Sequence, residues 1–155
     1  MIEILKKSER KKVLKMLKER FGFEDLREYY LLRSGKNRIR LISRDFERVD
    51  LRGMRVRFLG LEFCIMAKKG ELRLTIEGSQ IVGKKARKNV LNVDRRIAEE
   101  WMSGKTPFVK GKNVEEGFVI IKHEDDILGC GRYAKGKLWS FVPKWRRVSV
   151  SSKLS

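Results

Sequence analysis

The stretch Gly117–Arg147, GFVIIKHEDDILGCGRYAKGKLWSFVPKWRR, decides how this chain is read. Phe118-Val119-Ile120-Ile121 is aromatic and β-branched, the composition of a buried strand. Glu124-Asp125-Asp126 predicts a turn, Ile127 to Tyr133 a second strand, and Ala134-Lys135-Gly136 a second turn. From Lys137 to Val142, Leu138, Ser140 and Val142 alternate with Trp139 and Phe141, until Pro143 ends the strand for want of an N–H. The stretch closes on Lys144-Trp145-Arg146-Arg147, three cations around one indole. A small β-structure has no folding reason to end so, whereas a nucleic-acid binder has.

Composition bears on the same point. The 155 residues suit one domain or two small ones, and 41% hydrophobic residues are enough for a core. Lys and Arg number 38 against 20 Asp and Glu, a formal charge of +18. With 37% charged residues and a single glutamine, the surface is thermophile-like, but ion-pair networks need both signs. Such an excess repels itself unless an acidic partner meets it, and nucleic acid fits best. No apolar run approaches the ~20 residues of a membrane span, and MIEILKKSERKK lacks a signal-peptide core, so a cytoplasmic protein with no membrane partner is expected. Cys64 and Cys130 lie apart within apolar strands and read as small buried hydrophobes.

Taken in order, the chain opens with a helix expected to start at Ser8-Glu9, to carry Val13, Leu14, Leu17 and Phe21 as its apolar stripe, and to end at Gly22. It reads as a structural helix with a solvated basic face rather than one that reads RNA. Tyr29 to Leu32 and Arg38 to Ile42 predict a hairpin about Ser34-Gly35-Lys36-Asn37, with Arg38 and Arg40 facing outward. Met54 to Phe58 and Leu61 to Met66 predict two more strands about Gly60, followed by a turn at Lys68-Lys69-Gly70. Leu72 to Ile76 alternates as a strand, and Glu77 to Gly83 is a short helical turn leading into Lys84-Lys85-Ala86-Arg87-Lys88-Asn89, the densest cationic run. Asp94 should cap a helix that buries Ile97, Ala98 and Trp101 and stops at Ser103-Gly104. Thr106-Pro107 and Lys110-Gly111-Lys112-Asn113 form a link, and Ser149 to Ser155 should fray.

The terminal stretch resembles the PUA-like domain (named after pseudouridine synthases and archaeosine transglycosylases) at the C-terminal end of Sun-family ribosomal RNA cytosine-5 methyltransferases. The resemblance rests on Gly117-Phe118-Val119-Ile120-Ile121, Leu128-Gly129-Cys130-Gly131, Gly136-Lys137-Leu138, Pro143-Lys144 and Arg146, in the family's order and spacing. It departs at Trp139-Ser140, where that family has Lys-Asn. Trp101-Met102-Ser103-Gly104-Lys105 is similar to the family's Tyr-Leu-x-Gly-Glu, departing at the aromatic and at Lys105. Arg20-Phe21-Gly22 and Arg57-x-x-Gly60-Leu61, the latter with one extra residue, resemble its pre-PUA region. The same layout recurs in small archaeal ribosome-biogenesis proteins of the Nip family.

That resemblance implies an α+β protein: an α/β pre-PUA region at 1–70 and a small, mixed PUA-like β-barrel at 71–155. It implies a stand-alone, non-catalytic binder of structured RNA, ribosomal first and transfer RNA second, acting in RNA modification or ribosome biogenesis. The RNA face would be the element from Gly78 to Asn89, including Ser79, Gln80 and Asn89, with Lys84, Lys85, Arg87 and Lys88 clamping phosphates. A second cluster holds Lys137, Trp139, Lys144, Trp145, Arg146 and Arg147, where Trp145 or Trp139 would stack on an unpaired base and the arginines would meet phosphate. The bland alternative for the loop is a solvated basic surface. The rival function is docking onto a separate RNA methyltransferase or biogenesis complex.

Chemistry of its own is not expected. The single histidine, His123, stands beside Glu124 with nothing to activate, and no metal-ligand spacing, Walker loop or dinucleotide fingerprint occurs. Neither Phe63-Cys64-Ile65 nor Gly129-Cys130-Gly131 matches the Pro-Cys and Thr-Cys motifs of the methyltransferases. No cofactor and no metal are therefore implied.

Overall fold

The computed structural model describes residues 2–44 and 60–147. The expected strand Met54 to Phe58, Arg57 of the resemblance and the tail Ser149 to Ser155 lie outside the described residues. Helix α1 (Lys7–Phe21) buries Val13, Leu17 and Phe21. Its first turn differs slightly from expectation: Lys6 holds the capping position, where its N–H donates to Glu9 Oε1 at 3.2 Å, and Ser8 falls inside the helix. Gly22 ends it at φ 65°, in the left-handed region that glycine adopts most easily.

Five strands form the first sheet: β1 (Ile2–Ile4), β2 (Tyr29–Ser34), β3 (Arg38–Ser43), β4 (Leu61–Met66) and β5 (Leu72–Leu74), antiparallel and in chain order. The hairpin and the turn at Lys68–Gly70 are as the pattern predicts. Ile39 and Leu41 point inward, but Ile42 is buried as well, and Arg40 is only half exposed. A register shift between Ile39 and Arg40 breaks the simple alternation there.

The strand expected to run to Ile76 stops at Leu74. Thr75 instead caps α2 (Ile76–Gly83), accepting from the Gly78 N–H at 2.8 Å while its hydroxyl donates to the Glu62 carbonyl at 2.6 Å. A Cβ at Gly78 would lie 2.1 Å from the Phe63 carbonyl oxygen, so only glycine lets α2 approach β4 this closely. After α2 come β6 (Val90–Asn92) and α3 (Arg95–Met102), whose cap is Asp94 Oδ1 accepting from the Ile97 N–H at 2.8 Å. The decisive stretch folds as β7 (Gly117–His123), β8 (Asp126–Ala134) and β9 (Lys137–Trp139), the last shorter than its alternation suggested. The second sheet runs β6-β7-β8-β9, with β6 parallel to β7 and the rest antiparallel.

The molecule is thus an α+β mix, and among the described residues its two sheets stay open rather than closing into one barrel ladder. What joins them is β7. Phe118, Val119, Ile120 and Ile121 are all buried, and successive side chains leave opposite faces of a strand. Phe118 and Ile120 enter the core beneath α1 and the first sheet, with Phe21, Phe63 and Val82. Val119 and Ile121 enter a second core with Trp101, Leu91, Leu138 and Val142. Trp101 is buried on the face expected of it, and its indole N–H donates to the Trp139 carbonyl at 3.2 Å. Cys64 and Cys130 are free and buried, and burial pushes each thiol up to about 12.

Candidate nucleic-acid interface

The cationic run 84–89 follows α2 and lies across the end of α1. The Arg87 and Lys88 N–H groups donate to the Phe21 carbonyl at 2.8 and 3.2 Å, at the negative end of that helix. Arg87 packs so closely that its Cβ would be 3.1 Å from a Cβ added at Gly22. The side chains of Lys84, Lys85, Arg87 and Lys88 are all exposed. Lys85 Nζ is 2.9 Å from Asp25 Oδ2, and this bond, with a second from Arg27, lowers the Asp25 carboxyl to about 2.

Two polar residues assigned to this surface lie beneath it instead. Ser79 is fully buried and its hydroxyl donates to the Thr75 carbonyl at 2.7 Å, a bond within α2. Asn89 is 3% exposed: its Nδ2 donates to the Arg20 carbonyl at 2.7 Å and its Oδ1 accepts from the Glu115 N–H at 2.8 Å. Asn89 also has φ 55°, a left-handed conformation that asparagine tolerates better than most residues. Asn89 therefore holds the loop in place, Ser79 belongs to the interior of α2, and neither presents a side chain to a partner. Gln80 is exposed, and its amide donates to the Ile127 carbonyl.

The second cluster divides in two. Lys137 and Trp139 lie on β9, the edge strand, where Lys137 Nζ sits 5.0 Å from the ring centre of Phe108. Past Pro143, a single 3-10 turn (Lys144–Arg146) holds Trp145 out at 81% exposure. The turn is tied from behind: Val142 is buried, Arg147 Nε donates to the Val142 carbonyl at 3.1 Å, and Arg146 pairs with Glu77 at 2.7 Å. Lys144 is exposed. Because Glu77 lies in the first turn of α2 and Lys84 follows its last residue, the turn and the basic loop bracket that helix. The helix between them, eight residues at 1.5 Å each, is about 12 Å long.

A groove of about 250 Å³ opens beside the turn, between it and the first sheet. Trp145, Phe141 and Arg146 line one part, and Arg38, Arg73 and Glu62 of β3, β5 and β4 line another. Arg73 and Phe141 were not among the expected binding residues. The one sequence signal for Arg73 was its place as the outward residue of Leu72-Arg73-Leu74. Among the described residues no group of His, Cys, Asp and Glu is placed to hold a metal ion, and no helix is long and apolar enough to cross a membrane.

Comparison with known proteins agrees with this architecture. Residues 88–148 match the family model of the methyltransferase RsmF PUA domain, less than half of the chain. Among solved structures, a conserved PUA domain protein from Thermoplasma acidophilum is 14% identical with a TM-score of 0.59, the match covering 85% of this chain and 79% of that one. A PUA domain from Aeropyrum pernix K1, solved as a tartrate complex, is 15% identical with a TM-score of 0.52, covering 96% and 84%. A search of curated proteins yields no match. The β6-to-β9 sheet, its two-sided strand β7 and the basic turn that follows thus form a PUA-like domain.

Proposed function

We propose that this protein is a non-catalytic RNA binder of the PUA type, acting on structured ribosomal RNA, or secondarily transfer RNA, in RNA modification or ribosome biogenesis. The observation that carries the proposal is the loop 84–89, whose exposed cations are borne on a backbone fastened to α1 and, through Asn89, to β7. Cations on a fixed backbone bind phosphates without first ordering a loop, which lowers the entropic cost of binding. In this reading residues 1–70 form the pre-PUA region and 71–155 the RNA-binding domain, although β5 and α2 pack on the first sheet across that division. Phosphate contacts set affinity and register without reading sequence, so preference among RNAs rests on shape and on unpaired bases.

Docking onto a separate RNA methyltransferase is a second reading, favoured by Phe108 (71% exposed) and Trp139 (47%) beside the β9 edge. Binding to ribosomal RNA fragments, transfer RNA and duplex DNA, with the protein alone, separates the two. An independent binder holds RNA in preference to DNA with a steep salt dependence. Weak binding to every nucleic acid, restored only by an added methyltransferase, supports docking.

A further inference from the structure

The groove beside α2 combines Arg38, Arg73 and Arg146 with the rings of Phe141 and Trp145, over the buried Trp101, and the arginines' ion pairs are unequal. Arg38 pairs with Glu62, and Arg146 with Glu77 at 2.7 Å. Arg73 has no carboxylate partner among the described residues; its guanidinium lies 4.4 Å from the ring centre of Phe141 and is half buried. A partly desolvated cation with no counter-charge among the described residues gains from a bound anion, and more so in a protein of charge +18. At the rim stands Trp145, 81% exposed, with the Arg146 guanidinium 5.4 Å from its ring centre. The groove's volume is about 250 Å³.

We propose that this groove takes one unpaired nucleotide of a bound RNA, its base stacked on Trp145 and its phosphate on Arg73. The proposal rests on the RNA-binding reading and deepens it by adding a site for an extruded base to a phosphate clamp. A base within a duplex keeps its stacking partners, so only a bulged or looped nucleotide reaches the indole. Base–aromatic stacking tolerates any base, so the site reads the presence of an unpaired nucleotide rather than its identity.

The test uses a hairpin RNA with a single-nucleotide bulge and the same hairpin fully paired. Each is titrated against wild type, Trp145→Ala and Arg73→Gln, and the emission of Trp145 is read as the difference between wild type and Trp145→Ala. Wild type should prefer the bulged hairpin about tenfold, with quenching of indole emission. Trp145→Ala should abolish the preference while keeping affinity for the paired hairpin, since an exposed side chain is removed without disturbing the core. Arg73→Gln should weaken the bulged hairpin selectively. Equal binding of the two hairpins by wild type, or a preference that survives Trp145→Ala, overturns the groove proposal and leaves the RNA reading standing. No binding of either hairpin overturns the RNA reading and the groove with it. Emission unmoved by RNA but quenched by a poly-glutamate peptide assigns the groove to an acidic protein segment and overturns the nucleotide.

Discussion

The loop 84–89 and the turn Lys144–Arg146 bracket α2, and in sequence they look alike, each a short run of cations. In space they are built differently. The loop is fastened along its length, by main-chain bonds to the end of α1 and by the buried Asn89 reaching Arg20 and Glu115. The turn is fastened from behind, through Val142, Arg147 and the Arg146–Glu77 pair, and offers an indole as well as charge. The difference teaches that charge density alone does not describe an interface. A pinned row of lysines suits phosphates, which are alike in every RNA, whereas an exposed ring beside an arginine-lined groove suits a base that has left its stack.

Removing the fastening of the loop should have the largest effect. Asn89→Ala leaves the Arg20 carbonyl and the Glu115 N–H without their bonds, at ~1–3 kcal/mol for each group left unsatisfied. Urea unfolding should therefore show a loss of about 2 kcal/mol or more, and a loss below about 0.5 kcal/mol would break the contrast between a pinned loop and a tethered turn. Glu77→Ala sharpens the other side. That pair is partly exposed, so its removal should cost less than about 1 kcal/mol while freeing Arg146. A loss as large as that of Asn89→Ala would mean that the turn is anchored as firmly as the loop.

How much of this was legible follows from how local each signal is. Phe118 to Ile121, the hairpin of β2 and β3, Gly22, Asp94 and Trp101 depend on neighbours a few residues away, and the pattern located them. The short β6 did not announce itself, because a three-residue strand is defined by its parallel partner β7 rather than by its own alternation. Thr75 looked like the continuation of a strand, since β-branched residues favour strands, but its hydroxyl caps α2. Ser79 and Asn89 looked like surface polar groups, and only the fold shows the carbonyls and N–H that bury them. The groove was the least legible feature, since Arg73 and Phe141 come from distant parts of the chain.

The smallest predicted effect is electrostatic. Asp25 is held at about 2, below its ordinary 3.8, chiefly by its bond from Lys85 and then by Arg27. A carboxyl lowered in this way contributes stability that is present above the ordinary value and lost as pH falls toward the lowered one. Between about pH 4 and pH 2, wild type should therefore lose slightly more thermal stability than Asp25→Asn. Parallel melting curves for the two proteins across that window would show that Lys85 is free of Asp25 in solution and fully available to RNA.

The measurement that tests the central claim most directly is the salt dependence of RNA binding by Lys84→Ala/Lys85→Ala/Arg87→Ala/Lys88→Ala beside wild type. Each cation that no longer meets a phosphate should flatten the log–log slope by about 0.7–0.9, so the quadruple variant should bind with a slope about 2–3 units shallower, Lys85 being shared with Asp25. A variant that binds structured RNA with the slope and affinity of wild type would contradict the account and reduce the pinned loop to solvated surface.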